Sequence, residues 1–101
     1  IDLDQHQVLI EEREVNLTRS EFSLLRTLAE SPGHAFTRSE LIEYGLGYGY
    51  EGSQRTVDSH IKNLRRKLAE AGVAATELVE TVFGVGYRLR TQGGHPTGGN
   101  P

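Results

Sequence analysis

Gln54 to Gly72 reads QRTVDSHIKNLRRKLAEAG. Its apolar residues fall at Val57, Ile61, Leu64 and Leu68, the i, i+4, i+7, i+11 spacing of one stripe on an amphipathic helix. Arg55, Ser59, Lys62, Asn63 and Arg66 follow the same rhythm on the opposite side. One side therefore docks on a core, and the other offers cationic and amide groups to a partner. The forked donors and acceptors of Arg and Asn match guanine and adenine edges in a major groove. Gly72 suits the left-handed position that ends a helix. An isolated basic helix is most often only a solvated face, so the rest of the chain has to decide between the two readings.

Upstream, two helix starts share one wording. Thr18-Arg19-Ser20-Glu21 is a capping box, with Thr18 as cap, Glu21 reaching back, and Leu17 and Phe22 placed as the hydrophobic staple. Phe22, Leu25 and Leu28 continue with helical spacing until Ser31-Pro32-Gly33 stops the run. Thr37-Arg38-Ser39-Glu40 repeats the box, with Phe36 and Leu41 as its staple, and Tyr44-Gly45-Leu46-Gly47 is expected to break this second, short helix. The runs IDLD, QVLI and REVNL before residue 18 predict two or three short antiparallel strands. Residues 45–53, GLGYGYEGS, form a Gly- and Tyr-rich loop with Ser53 as the next cap. Glu77 to Val82 and Tyr87 to Arg90 are strands around a Phe83-Gly84-Val85-Gly86 turn, a hairpin. Residues 91–101 hold no apolar side chain and are expected to be disordered. Strands, helix, helix, loop, helix, hairpin is the order of an α+β winged helix-turn-helix, in which the third helix enters the groove and the hairpin wing flanks it.

Composition agrees with one small domain. The 101 residues include 36% hydrophobic and 25% charged residues, and no Cys, which excludes disulfides and thiolate metal sites. No apolar run reaches membrane-spanning length. The net charge of −3 argues against a nucleic-acid binder, but its distribution does not. Residues 1–53 carry four Arg against ten carboxylates, whereas residues 54–101 carry seven cations against four. A polyanion meets the local field, not the sum.

These residues resemble the DNA-binding effector domain of OmpR/PhoB-type response regulators. The resemblance rests on LTRSEFSLLRTLAESPGHAFTRSELIE, then RTVDSHIKNLRRKL, then ETVFGVGYRL, and covers roughly residues 1–90. It implies an N-terminal sheet, three helices and a C-terminal wing over residues 1–91, followed by a disordered tail at 92–101. It also implies that one strand and a receiver domain, whose phosphorylation controls dimerisation, are missing ahead of Ile1. It implies sequence-specific binding of double-stranded DNA as the output of a bacterial two-component transcriptional regulator in the cytoplasm. The isolated domain is then a monomer, with two copies on directly repeated half-sites. Residues 54–70 match the recognition helix, with Ser59, Lys62, Asn63 and Arg66 facing the bases. Arg55, Thr56, His60 and Arg65 are expected at phosphates, and Tyr87 and Arg88 likewise from the wing at 78–90. The wing tip carries Phe83 where relatives often carry Arg, and an uncharged side chain does not supply that minor-groove contact. The resemblance extends an RNA polymerase contact to loop 45–53, where Tyr48 and Tyr50 stand in place of the usual Trp. The alternative reading is a winged helix that docks an acidic protein.

Enzymatic readings have little behind them. Asp58-Ser59-His60 has the letters of a triad, but successive helical residues point about 100° apart and cannot converge. Asp58 is instead expected to pair with Lys62 at i+4. Gly47-x-Gly49-x-x-Gly52 follows a helix rather than a strand and carries Glu51, which repels phosphate, so it is a turn and not a dinucleotide loop. His6, His34, His60 and His95 lack metal-ligand spacing, and no cofactor is expected. Phe22, Phe36 and Tyr87 sit beside apolar neighbours and are expected in the core. Leu24, Leu25, Leu28, Leu41, Ile42, Val57, Ile61, Leu64 and Leu68 complete that core.

Overall fold

The computed structural model describes residues 2–4, 7–10, 13–47, 54–72 and 78–90. The proposed cap Ser53, Tyr48 and Tyr50 of the loop, the strand start at Glu77, His6, His95 and the tail at 91–101 lie outside the described residues.

Three short strands open the chain: β1 (Asp2–Asp4), β2 (Gln7–Ile10) and β3 (Arg13–Asn16), an antiparallel meander in that order. Along β3 burial alternates, with Glu14 and Asn16 exposed and Val15 buried, so the Val15 side of β3 closes on the core. Helix α1 (Arg19–Glu30) follows. Its capping box forms as expected: the Thr18 N–H donates to Glu21 Oε1 at 3.0 Å and the Glu21 N–H to Thr18 Oγ1 at 3.2 Å. Two of the helix's orphan donors are thereby satisfied.

Strand β4 (Phe36–Thr37) leads into α2 (Arg38–Leu41), and Thr37 and Glu40 close the second box at 2.8 and 3.0 Å. Here the structure corrects the sequence expectation. The helix is not broken at Tyr44-Gly45; it widens into a π-helical segment, Ile42–Leu46, and ends at Gly47, whose φ is 83° and whose N–H donates to the Ile42 carbonyl at 2.7 Å. Gly45 permits this path because α1 lies against it: a Cβ there would stand 2.9 Å from Thr27 Oγ1.

Helix α3 (Gln54–Glu70) buries Val57, Ile61, Leu64 and Leu68, each at 1% exposure or less. Strands β5 (Val79–Val82) and β6 (Gly86–Leu89) form the hairpin. The second sheet has a third member that the sequence reading missed. Strand β4 pairs antiparallel with β6, giving the order β4-β6-β5 with Phe36 opposite Tyr87 and Thr37 opposite Gly86. Gly86 makes this pairing possible, since a Cβ there would lie 2.1 Å from the Phe36 carbonyl oxygen. The hairpin is thus sewn to the turn between the first two helices. The Gly33 N–H, donating to the Leu89 carbonyl at 2.8 Å, reinforces the seam.

The core is one cluster. Leu24, Leu25, Leu28, Leu41 and the α3 stripe meet Val15, Leu17, Phe36, Val79, Tyr87 and Leu89. Phe22 and Ile42 pack against its edge half-buried rather than inside it. Each of the larger side chains contributes about 1.5–3 kcal/mol by leaving water.

Candidate nucleic-acid interface

Helix α3 is divided lengthwise into flanks, because each residue turns by about 100°. One flank is the buried stripe. A second, carrying Asp58 and Arg65, faces the wing. A third, carrying Lys67, faces α1. The fourth, opposite the stripe, carries Arg55, Ser59, Lys62, Asn63 and Arg66, all exposed.

The wing-facing flank is closely bonded. Asp58 Oδ1 accepts from Arg38 Nε at 2.7 Å and from the Tyr87 hydroxyl at 2.5 Å. Arg65 donates through Nε and Nη2 to the Val79 carbonyl, at 3.0 and 2.7 Å, and through Nη2 to Thr81 Oγ1 at 2.8 Å. The guanidinium carbons of Arg38 and Arg65 each lie 5.4 Å from the centre of the Tyr87 ring, within cation–π range. Burial pushes the Asp58 carboxyl up, but the Tyr87 hydroxyl and the Arg38 guanidinium outweigh it and hold the group below its ordinary value. Tyr87 moves the other way: burial, then its bond to the Asp58 carboxylate, raises its hydroxyl above the usual phenol value.

These contacts correct one expectation and show how two further residues are held. Asp58 pairs with Arg38 and Tyr87, twenty and twenty-nine residues away in opposite directions, and not with Lys62. Tyr87 is 5% exposed with its hydroxyl already engaged. Arg65 is turned to β5. In this arrangement the Tyr87 hydroxyl is bonded to Asp58, and Arg65 is bonded to β5 through Nε and Nη2.

On the α1 side, Lys67 Nζ donates to Glu21 Oε1 at 2.6 Å. Glu21 is 2% exposed. Burial would raise its carboxyl, yet the Lys67 ammonium and the Thr18 N–H leave it below the ordinary value. The residue that closes the α1 capping box therefore also clamps α3. Sequence spacing reveals the first role and not the second, which spans forty-six residues.

The outward flank keeps its groups available. Among the described residues, Arg55, Ser59, Lys62 and Asn63 make no side-chain hydrogen bond or ion pair. Arg66 reaches Glu70 at 3.3 Å in an exposed i, i+4 pair, which contributes little and is readily exchanged. Thr56 and His60 sit half-buried at its edge, both engaged within the fold. On the wing, Arg88 is exposed and pairs with Glu80 at 2.7 Å. All four expected base-facing residues thus share one solvent face. The expected phosphate set is split: Arg55 and Arg88 are exposed, Arg65 and Tyr87 are turned inward.

Among the described residues nothing is arranged for catalysis. Asp58, Ser59 and His60 diverge around α3. A cleft of about 370 Å³ beside β3 is lined by Glu14, Val15, Asn16, Arg66, Lys67, Glu70 and Ala71, and its Lys67 ammonium is already bonded to Glu21. Among the described residues no group of His, Cys, Asp and Glu could hold a metal ion, and no helix is long and apolar enough to cross a membrane.

Comparison with known proteins agrees with this geometry. The model of the family described as "Transcriptional regulatory protein, C terminal" matches residues 12–89. The transcriptional regulatory protein SrrA of Staphylococcus aureus is 42% identical over 92 residues, covering 91% of this chain and 38% of SrrA. The chain therefore spans well under half the length of that relative. Among solved structures, the response regulator AdeR DNA-binding domain in complex with an intercistronic region superposes with a TM-score of 0.75 at 38% identity, covering 91% of this chain and 93% of the other. The Klebsiella pneumoniae RstA DNA-binding domain in complex with the RstA box gives 0.69 at 31% identity, covering 87% and 88%.

Proposed function

We infer the function from the family to which this chain belongs, the C-terminal domains of transcriptional regulatory proteins: the chain is a sequence-specific double-stranded DNA-binding output domain, not an enzyme. The observation that carries the reading is the outward flank of α3. Ser59, Lys62, Asn63 and Arg66 stand exposed on one line, on a helix whose other flanks are committed to core, wing and α1. Such a helix fits a major groove with a fixed rotation about its own axis. Asn63, with both an amide donor and an acceptor, suits an adenine edge; Lys62 and Arg66 suit guanine. Arg55 and Arg88 serve phosphates. Arg65 and Tyr87, which the sequence reading assigned to phosphates, act instead by fixing the wing to the recognition helix.

The remaining parts of the reading follow the family. The natural protein carries a receiver domain ahead of this one, whose phosphorylation controls pairing on DNA. Two copies bind directly repeated half-sites head to tail. The chain acts in the cytoplasm, where chromosomal DNA is, and segment 45–53 is its contact for RNA polymerase.

The test is a selection of duplexes from a random pool, followed by anisotropy titrations of variants. Asn63→Ala should relax the preference at one base position, worth about 1–3 kcal/mol. Arg55→Ala should weaken binding to every duplex and lower the salt slope by about one. Equal losses on every DNA for both variants would refute the division of roles. No binding even at low salt would replace it with the protein-docking alternative.

A further inference from the structure

The outward flank of α3 does not end on a cation. Continued by one helical turn past Arg66, the line reaches Glu70, exposed and the last residue of the helix. A spacing of seven residues brings Glu70 almost directly in line with Asn63. Arg66 Nη1 donates to Glu70 Oε2 at 3.3 Å, and the two side chains are 55% and 64% exposed. The bond is single and long, and such a pair opens readily for a better acceptor. Arg66 also lines the cleft beside β3, where the exposed Glu14 adds a second carboxylate. The base-reading line therefore finishes on a guanidinium with an acid beyond it and another across the cleft.

Glu70 does little for the helix itself. The carbonyls at the C-terminal end already make it negative, so a carboxylate there works against the helix dipole. Arg before Glu is also the less favourable order for an i, i+4 pair. Lys67, the cation of the last turn, is bonded to the buried Glu21 at 2.6 Å. What Glu70 does change is the balance between two kinds of DNA contact. A phosphate carries the same charge as the carboxylate it would displace, and it would be drawn up against Glu70 and Glu14. A guanine edge is uncharged and offers O6 and N7 together, so one long bond is exchanged for two without new repulsion.

We propose that Glu70 is a specificity-determining residue: its carboxylate competes for the Arg66 guanidinium, so that Arg66 transfers to a guanine edge in the selected site and is withheld from phosphates elsewhere. This inference rests on the DNA-binding reading above. Selectivity then comes from weakening attachment to wrong sequences, by a residue that itself touches no base.

The experiment uses the full chain, the duplex it selects from a random pool, and a mixed-sequence duplex of equal length, titrated by anisotropy across a KCl series. Glu70→Gln should bind the mixed duplex about three- to fivefold more tightly than wild type, and the selected duplex less than about twofold more tightly. On the mixed duplex its salt slope should steepen by about one, as Arg66 joins the phosphates. Glu43→Gln removes the same charge from an exposed residue outside α3 and should shift both duplexes alike. With Arg66→Ala in place, Glu70→Gln should do no more than Glu43→Gln does. Glu70 is exposed, so Glu70→Gln should melt with the wild type. Equal gains on both duplexes, or no gain on either, would overturn the assignment of Glu70 while the α3 reading stood. So would a gain that persists in full without Arg66. Arg66→Ala weakening both duplexes alike would leave no base contact for Glu70 to protect, and would overturn it too. A wild type that enriches no duplex at all would fail the DNA reading itself, a result that the other outcomes, all measured on a selected duplex, cannot mimic.

Discussion

Asp58→Ala probes the join between recognition helix and wing. The carboxylate accepts two bonds on one oxygen, and each has a different worth. Arg38 and Asp58 have side chains 35% and 42% exposed, so water screens the pair and its share is about 0.5–1 kcal/mol. Tyr87 is 5% exposed. Without Asp58 its hydroxyl loses a charged acceptor, and because the Asp58 side chain is 42% exposed water can take its place, so the cost lies toward the lower end of about 1–3 kcal/mol. The total is about 2 kcal/mol, or a fall in Tm of about 10 °C for a domain of this size. Asp58→Asn keeps an acceptor and should cost about half as much. The pH dependence carries the sharper signature. The Asp58 carboxyl lies below its ordinary value in the folded state, burial being outweighed by Tyr87 and Arg38. Its stabilisation is therefore full above about pH 4 and drains away as pH falls through the depressed folded value. Urea unfolding of wild type and Asp58→Ala should differ by the full amount at pH 7 and by much less near pH 2. Other acid-sensitive groups, Glu21 among them, are common to both proteins and cancel in the difference. A midpoint shared by both proteins at pH 7, or a gap undiminished at low pH, would refute the assignment.

Two further perturbations test other parts of the frame. Glu21→Leu removes a carboxylate that is 3% exposed in its side chain and leaves Lys67 and the Thr18 N–H without their partner; Lys67 is 25% exposed and can turn toward water, so the loss should be about 2–3 kcal/mol rather than the larger cost of a stranded buried charge, measured as a shift in urea midpoint. Because Glu21 is also held below its ordinary value, net of burial, by Lys67 and Thr18, that loss should fade as pH drops below about 4. Gly86→Ala places a methyl group 2.1 Å from the Phe36 carbonyl oxygen, so β4 and β6 cannot keep their pairing; amide exchange should quicken at the paired residues on both strands while the α3 amides stay protected, and unchanged exchange at β4 would sink the account of that glycine.

What the sequence disclosed and what it hid divide by the range of the interaction. The α3 stripe was legible because periodicity is a local property, and Val57, Ile61, Leu64 and Leu68 are all buried. Both capping boxes were legible for the same reason: donor and acceptor are three residues apart. The hairpin turn announced itself through Gly84. The β4–β6 pairing was not legible, because a single residue and the helix cap that follows it, Phe36 and Thr37, carry no strand pattern. The only signal was Gly86, a glycine next to a core aromatic, which marks a close approach without naming the neighbour. Asp58 was misassigned because an i+4 lysine is the default partner on an isolated helix, whereas in the fold Arg38 and Tyr87 arrive from other elements.

The same distinction governs the charge. Counted along the chain, α3 holds five cations and two carboxylates, and that count suggested a basic rod. In the fold the charges are not shared out evenly around it. Lys67 answers Glu21, and Arg65 is drawn to the carbonyl and hydroxyl of β5. Asp58, which would have weakened the outward field, is matched by Arg38 from outside the helix. Arg55, Lys62 and the loosely held Arg66 are what remain to meet a polyanion. Two cations are given up to orient the helix, and orientation is what base reading demands, since phosphate attraction is indifferent to the angle at which a side chain arrives. A helix with all five cations facing outward would bind DNA more tightly and distinguish one sequence from another less well.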